Sequence, residues 1–423
     1  MILSNLLLLL IVGVSIELML IRPRGISEVY WIGGGALLLV LLRLVPLKLA
    51  GRAVAEGSDV YYFLIGMMLL SELAREQGVF DWLSSVAVRG ANGSCARLFT
   101  MVYVVGTSVT IFMSNDATAV VLTPAILTVV RKARVQPLPY LFACAMIANA
   151  ASFVLPISNP ANLVVFHQGM PPLGHWLRDF GIASILSIAA TYAVLRIVFK
   201  QDLAAGIESM TEAKPLTGNG LMVVVGLGIM IAVLLVASAW NKDLGLPTCL
   251  AALAITAAVS IKARSNPLTL AKEISWSTLA LVAGLFVLVD AVESIGALRY
   301  TEMAFRWAQS LTPALGVLVT SFAIGIANNL VNNLPLGLIA GSTVLAVHAK
   351  GILANAIMIG IDLGPNLSVT GSLATILWLI ALRKEDLNVS FWDFLKVGAV
   401  AMPVALLASV GGVVLMQMLL KTP

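Results

Sequence analysis

The chain alternates long apolar runs with short polar stretches. The runs 2–21, 220–239 and 397–420 are long enough for helices that cross a bilayer, which need about 20 apolar residues. A strand of a membrane barrel would instead alternate over about 10 residues. The pattern predicts an all-α polytopic membrane protein, and 423 residues allow about ten to twelve membrane segments.

Composition supports this prediction and limits the partners. Hydrophobic residues make up 60% of the chain and charged residues 11%, with a mean hydropathy of +0.99, whereas a soluble domain carries about 25% charge. The net charge of +5 does not indicate nucleic acid, because no basic block combines with aromatics and cytoplasmic loops of membrane proteins give the same excess. Cys95, Cys144 and Cys249 form no CxxC pair, so we expect no disulfide framework, metal site or cofactor.

The sequence repeats itself at a shift of 218 residues. Gly66 then falls on Gly284 and Glu72 on Asp290, within the similar segments 64–78 and 282–296. Further along, at a shift of 217, Asn115-Asp116 falls on Asn332-Asn333. Carrier folds are often built from two related halves. We therefore predict repeats at 1–200 and 218–423. The polar stretch 201–217 would join them as a cytoplasmic linker.

Each half contains an apolar pair interrupted by polar residues. The arms are 98–113 and 118–130 in the first half, and 314–327 and 334–347 in the second. At 1.5 Å per residue they reach only about 20 to 25 Å, less than a hydrocarbon core about 30 Å thick. We predict two re-entrant hairpins. Unsatisfied backbone is tolerated in a membrane only inside protein or beside water, so the tips should line a transport site.

Two further helices are predicted to be discontinuous. Proline, glycine and asparagine interrupt them at 156–162 and at 362–372, where they would open the helix and free its backbone groups. With about ten transmembrane helices, five per half, the second repeat must be inverted. An extracellular N-terminus and C-terminus would put 17 of the 26 Lys and Arg residues on the cytoplasmic side, as the positive-inside rule favours.

Intramembrane acids are candidates for proton coupling, because each costs about 2.5 to 3.5 kcal/mol in lipid. Asp116 at the first tip is the first candidate; its alternative role is to cap the second arm, a role that Ser114 and Asn115 could fill equally well. Asp362 precedes a Gly-Pro break and is the second candidate. For Asp290 and Glu72, a structural tie between hairpin and supporting helix is as plausible as a proton role.

Amide and hydroxyl side chains gather at the tips and breaks. They donate and accept hydrogen bonds without charge, which suits a ligand bearing hydroxyls, although bonds between helices would account for about half of them. Asp116 completes the predicted binding set. That set is Ser114, Asn115, Asp116, Thr118, Ser158, Asn159, Asn162, Asn329, Asn332, Asn333, Asn366, Thr370 and Ser372.

Four motifs resemble those of a known family, the arsenite efflux permeases of the ArsB type, within the larger ion transporter superfamily. The motifs are Asn115-Asp116 through Pro124, the Ala148 to Asn162 run, Asn332-Asn333-Leu-Pro335, and Asp362-Leu-Gly-Pro-Asn366 followed by Gly371-Ser-Leu-Ala-Thr375. The likeness extends over nearly the whole chain. Some members carry an acid where Asn149 stands here, so no proton role is carried over to that position.

The resemblance implies a bacterial inner-membrane antiporter, not an enzyme, that expels arsenite or antimonite in exchange for protons. It also implies that hairpins and broken helices move as a unit, that a soluble ATPase sometimes assists, and that a homodimer is compatible with the fold. A sodium/proton antiporter or divalent-anion carrier of the same superfamily is the alternative. A channel or membrane-embedded enzyme is a third, less favoured interpretation.

Overall fold

The computed structural model describes residues 2–167, 169–207, 215–347 and 351–421. Within these ranges the chain is built from helices and contains no β-strand. The predicted all-α membrane fold is confirmed. Part of the predicted linker, 208–214, lies outside the described residues.

The described ranges contain twenty α-helices, and short 3₁₀ turns and one π-helix complete the backbone at the breaks. The first half contributes α1 (Ile2–Ile21), α2 (Glu28–Leu41), α3 (Leu47–Glu56), α4 (Ser58–Glu76), α5 (Val79–Ala91), α6 (Cys95–Phe112), α7 (Thr123–Lys132), α8 (Leu138–Ala150), α9 (Pro160–Val165) and α10 (Leu173–Val198). The second half contributes α11 (Gly218–Ala239), α12 (Gly245–Ala263), α13 (Pro267–Glu273), α14 (Trp276–Ser294), α15 (Arg299–Ser310), α16 (Pro313–Val331), α17 (Asn333–Ala346), α18 (Ile352–Leu363), α19 (Leu373–Lys384) and α20 (Phe391–Lys421).

Eight helices in the described part of the chain are long and apolar enough to cross a membrane: α1, α6, α10, α11, α12, α14, α16 and α20. The pair α3 and α4, bent by 47°, would make a ninth. The sequence predicted about ten. The two sets differ in membership: the nine include the first hairpin arms α6 and α16, and they omit the interrupted helices that begin with α8 and α18. They also omit α2, which has 14 residues and ends in a turn where Arg43 takes a φ of 56°. At about 1.5 Å per residue, α2 reaches only about 21 Å.

The two halves carry their helices in the same order. Helices α4 and α14 have bounds that differ by the 218-residue shift of the sequence repeat. Helices of one half also pack against helices of the other. Helix α4 lies against α12, and its counterpart α14 lies against α2. The counterparts α10 and α20 pack on each other. The two related halves and their inverted orientation stay predictions.

The hairpins have unequal arms. The first arms, α6 and α16, have 18 and 19 residues, or about 27 to 29 Å, and are longer than predicted. In the second half the other arm, α17, has 14 residues and reaches about 21 Å. In the first half that arm begins as a π-helix, Ala117–Leu122, and continues as α7. Re-entry stays a prediction, because length alone does not place an arm in the bilayer.

Both predicted helix breaks occur. Helix α8 stops at Ala150 and α9 starts at Pro160, with a 3₁₀ turn at Pro156–Ser158 between them. Helix α18 continues into the 3₁₀ turn Gly364–Asn366, and α19 starts at Leu373. Almost every residue of α8 is buried, as are the last nine of α18. These two helices form the centre of the protein, so the breaks open into its interior.

Candidate transport site

Both hairpin tips and both helix breaks contribute to one pocket. Its empty volume is about 330 Å³, including the part open at its mouth. The far wall comes from α4 and α14, which also pack against the first and second tips respectively. The lining residues are Leu64, Asn115, Asp116, Asn159, Pro160, Thr278, Val282, Asn333, Leu334, Leu373 and Ala374.

Part of the lining repeats across the two halves. Leu64 corresponds to Val282 at the 218-residue shift, and Asp116 corresponds to Asn333 at the shift of 217 that relates the tips. The second half thus has an amide where the first half has a carboxylate. None of the described lining residues is Lys, Arg or His. The pocket therefore presents amides from both halves and one carboxylate from the first.

At the first tip, other side chains provide the helix cap, and the Asp116 carboxylate takes no part in it. Ser114 caps the second arm, its Oγ accepting from the amide of Ala117 at 3.1 Å, and Asn115 Oδ1 accepts from the amide of Asp116 at 2.9 Å. The Asp116 side chain makes no capping hydrogen bond. It is partly exposed and has no ion pair within the described ranges. Ser114, and not Asp116, therefore caps the second arm. The Asp116 side chain faces the pocket.

The π-helix behind this tip is held against the first arm. Thr118 Oγ1 lies 2.8 Å from Thr110 Oγ1, and Thr123 Oγ1 donates to the carbonyl of Thr118 at 2.9 Å. Thr118 is fully buried and does not line the pocket. A π-helical turn inside a helix is often found at functional sites.

The second tip is bonded to the second break. Asn332 takes φ 77° and ψ 153°, a backbone region occupied almost only by glycine. Its Nδ2 donates to the carbonyl of Thr370 at 3.2 Å, and the amide of Asn333 donates to the carbonyl of Gly371 at 3.0 Å. These bonds hold the strained tip and leave the Asn333 side chain in the pocket, where Oδ1 has no hydrogen-bond partner among the described residues.

Asn329 stands behind the second tip. Its Nδ2 donates to the carbonyl of Gly364 at 3.0 Å, and its Oδ1 accepts from Ser368 at 2.7 Å. The Thr370 hydroxyl donates to the carbonyl of Asn329 at 2.9 Å. Asn328, missing from the predicted set, donates to the carbonyls of Gly360 and Ile361. This hairpin and its broken helix are therefore joined by at least six side-chain or backbone hydrogen bonds.

The first break is organised by its own side chains. Ser158 Oγ donates to the carbonyl of Ile111 at 3.0 Å, which ties the break to the first arm. Asn162 Nδ2 donates to the carbonyls of Ser152 and Leu155, which lost their helical partners. At the second break, Ser372 caps α19 by accepting from the amide of Thr375 at 3.1 Å.

Two buried amides join the broken helices at the centre of the protein. Asn149 Nδ2 donates to Asn366 Oδ1 at 2.9 Å, and Asn366 Nδ2 donates to the carbonyl of Met146 at 3.0 Å. The two asparagines are 217 residues apart, the same shift that relates the two hairpin tips, so they are mates in the sequence repeat. Asn149 is therefore a packing amide that contacts its own counterpart.

Asp362 lies behind the pocket, with no exposed surface. Its Oδ1 accepts from Asn159 Nδ2 at 2.5 Å, while its Oδ2 has no hydrogen-bond partner within the described ranges. Asn159 Oδ1 in turn accepts from the amide of Ala161 at 2.9 Å, capping α9. Asn159 thus connects the pocket, the start of α9 and the buried carboxylate.

The other two acids lie away from the pocket. Glu72 pairs with Arg75, whose side chain is 54% exposed. Asp290 is partly exposed on α14, and its charged neighbours are Arg52, Glu56 and Glu293. Neither acid has a described bond to a lining residue, so both rank below Asp116 and Asp362 as candidates for proton coupling.

Four of the predicted binding residues line the pocket: Asn115, Asp116, Asn159 and Asn333. The other nine stand behind the lining; most cap helices or bond carbonyls freed by the breaks, while Thr118 joins the hairpin arms. Thr278 is a polar lining residue that sequence reasoning missed. The sequence feature that could have identified Thr278 is its position one helical turn before Val282, where the repeated segment 282–296 begins. No group of three metal-binding side chains occurs among the described residues.

A polytopic helical bundle whose two hairpin tips and two broken helices enclose one interior pocket defines a membrane transporter. The family model described as "Citrate transporter" (CitMHS) matches residues 16–365. The chain belongs to this citrate transporter family.

Curated relatives match at low identity over most of their length. The "Arsenical pump membrane protein" of Yersinia enterocolitica is 25% identical over 401 residues, which cover 90% of this chain and 91% of the relative. The protein of the same name from Escherichia coli K12 is 24% identical and covers 91% and 93%. An uncharacterized transporter of Mycobacterium tuberculosis H37Rv is 25% identical and covers 82% and 83%. The resemblance to arsenite permeases is confirmed.

The fold also resembles a solved structure. The crystal structure of the Alcanivorax borkumensis YdaH transporter matches with a TM-score of 0.57 at 16% sequence identity, over 90% of this chain and 88% of that one. At this identity the match concerns the fold alone.

Proposed function

We propose that the protein exports arsenite and antimonite across the bacterial inner membrane in exchange for protons. The observation that carries the proposal is a pocket of amides with one unpaired carboxylate and no cationic side chain in its described lining. Relatives named as arsenical pump membrane proteins, over about nine-tenths of the chain, support the choice of substrate.

The pocket chemistry suits arsenite. Near pH 7 arsenite is mainly the neutral trihydroxide, which needs donors and acceptors more than a counter-charge. Asn115, Asn159 and Asn333 each offer both from their amide groups. The free Asn333 Oδ1 is an acceptor available to a ligand hydroxyl. Antimonite, as the heavier trihydroxide, would use the same groups.

Asp116 is the proposed proton carrier and Asp362 the second candidate. The Asp116 carboxylate lies among the ligand-binding amides, so its charge and a bound ligand affect each other directly. Protonation from the outer side would favour release of the ligand, and deprotonation at the inner side would restore the acceptor. Asp362 would respond to a bound ligand through Asn159, which lines the pocket and also donates a hydrogen bond to Asp362.

The exchange of one proton for one neutral molecule moves charge and so draws on the membrane potential. At about 2.3 kcal/mol per 100 mV, about 150 mV supplies roughly 3.5 kcal/mol. That sustains a gradient of about 300-fold. Detoxification would then need no ATP, and a soluble ATPase would be an accessory partner.

An elevator-type motion would give alternating access. The hairpins are bonded to the breaks, and the breaks are bonded to each other through Asn149 and Asn366. These bonds support movement of the hairpins and broken helices as one body past α4 and α14. We further propose a cytoplasmic linker, extracellular termini and a homodimer, as the sequence predicted.

The proposal is tested in everted vesicles from cells lacking their own arsenic exporters. Arsenite uptake should follow an imposed proton gradient, collapse on addition of an uncoupler, and proceed without sodium. Vesicles without the protein provide the baseline. Uptake indifferent to the uncoupler would contradict proton coupling, and no arsenite uptake above the baseline would contradict the substrate.

A divalent-anion carrier is the second candidate, and a sodium/proton antiporter a third. The family model describes citrate transporters, and the pocket receives the starts of α9, α17 and α19, whose amides favour anions. Sodium-driven citrate uptake without an arsenite response would favour the second candidate. Sodium/proton exchange without either substrate would favour the third.

We expect Glu72→Gln to leave proton-driven arsenite uptake within about twofold of wild type. Glu72 pairs with the exposed Arg75 away from the pocket, and exposed ion pairs contribute about 0 to 1 kcal/mol. Initial uptake rates in vesicles, normalised to protein content, would measure it. If Glu72→Gln lowered the uptake rate as far as an uncoupler does in wild-type vesicles, Glu72 would be the residue that carries the proton.

A further inference from the structure

A second cavity lies outside the transport pocket, between α15, α16, α17 and α18. It is an apolar cleft with an empty volume of about 670 Å³, including the part open at its mouth. Small side chains from three of the helices form much of its wall: Ala304, Ala308, Ala323 and Ala340. Nothing in the proposed transport cycle uses this cleft.

The sequence explains why the cleft occurs in the second half. At the 218-residue shift, the wall alanines Ala304 and Ala323 meet larger residues in the first half, Val86 and Val105. There α5 packs directly on α6, and a Cβ added at Gly90 would lie 2.7 Å from Met101 Sδ. The alanines of α15 and α16 leave this space unfilled.

Water is a poor occupant of the cleft. The Thr301 and Thr343 hydroxyls lie 2.7 Å apart and bond each other, so they offer little to a solvent molecule. A cavity holds water only where two or more polar partners are available. An empty apolar space forfeits the dispersion contacts of its walls. The occupant is therefore expected to be apolar.

One polar group in the cleft nevertheless needs a partner. Thr320 is 7% exposed and lines the cleft, and its Oγ1 has no hydrogen-bond partner among the described residues. An occupant that combines an apolar chain with one acceptor oxygen would satisfy both the walls and this hydroxyl.

Helix α15 indicates from which side the occupant enters. Trp307 lines the cleft yet is 57% exposed, and Tyr300 on the same helix is 62% exposed. Exposed Trp and Tyr are enriched at the membrane–water interface. Arg299 and Arg306 are exposed on the face of α15 away from the cleft, where lipid headgroups or water would lie. The mouth of the cleft therefore faces lipid.

We propose that the cleft binds one acyl chain of a bilayer phospholipid, whose ester carbonyl accepts a hydrogen bond from Thr320. The chain fills the space that larger side chains fill in the first half, and it packs against the outer surface of the second hairpin. The proposal does not depend on the identity of the transported substrate.

Native mass spectrometry of the purified protein, released from delipidating detergent, tests the proposal. The wild type should retain one phospholipid mass. Ala304→Val with Ala323→Val introduces the residues of the first half and should lower retention by about tenfold, because the added volume occupies the space of the chain. Thr320→Val, which keeps the shape and removes the hydroxyl, should lower it by less. Ala257→Val on the exposed face of α12 is the matched control and should retain lipid as the wild type does.

Fluorescence locates the lipid independently. Lipid brominated along its chain should quench wild-type emission more than that of Trp307→Phe, and the filled variant should lose this difference. If the double variant is not monodisperse, Ala323→Val alone serves in both measurements. Retention of no lipid by the wild type, equal retention in the filled variant, or a bound mass that is not a phospholipid would overturn the proposal.

Discussion

Asp116→Asn is expected to abolish proton-driven accumulation of arsenite while leaving the ligand site intact. Asparagine keeps the size of the side chain and can still donate and accept hydrogen bonds, but it cannot carry a proton in exchange. Accumulation in everted vesicles should fall from up to about 300-fold toward equality across the membrane. The dependence of uptake on pH should disappear with it.

Two further measurements make this prediction specific. Exchange of labelled for unlabelled arsenite at equilibrium needs binding and movement but no net proton transfer, so it should persist in Asp116→Asn. Glu72→Gln is the matched control, since it neutralises another acid of a pocket-lining helix away from the pocket itself. Full accumulation by Asp116→Asn would remove Asp116 from the coupling and leave Asp362 as the first candidate.

The spans and the breaks could be predicted because membrane physics leaves few alternatives. Long apolar runs such as 2–21 and 220–239 can only be helices in lipid, and a Ser-Asn-Pro or Asp-Leu-Gly-Pro sequence cannot continue one without interruption. Segment lengths were harder. The turn that ends α2 at Leu41 follows from the backbone at Arg43, which no local pattern marked.

The site was predictable at its tips and much less so behind them. A polar residue at a break looks the same in sequence whether it faces a ligand or satisfies a freed carbonyl. Asn159 and Asn162 stand three residues apart in one motif, yet Asn159 lines the pocket and Asn162 bonds the carbonyls of Ser152 and Leu155. Only the three-dimensional arrangement separates the two uses. The same holds for Thr278, whose role depends on a neighbour from another helix.

The second large effect is expected at the hydrogen bond between Asn159 and Asp362. Asn159→Ala removes the donor to Asp362 Oδ1 and the cap of α9, and so leaves the buried carboxyl group without that hydrogen bond. An unsatisfied buried polar group costs about 1 to 3 kcal/mol, and more if charged. We expect a clear fall in thermal stability and loss of transport.

A double-mutant cycle separates that bond from simple packing. Adding Asp362→Leu to Asn159→Ala removes the stranded group, so the double variant should regain part of the lost stability, because apolar replacement of both partners can be nearly neutral. Transport should not return, since Asn159 also lines the pocket. Ser372→Ala, which removes a cap at the other break without stranding an acid, is the control and should cost about 1 kcal/mol. Additive losses in the double variant would mean that the two side chains stabilise the protein independently, and the link from the pocket to Asp362 would then have to be abandoned.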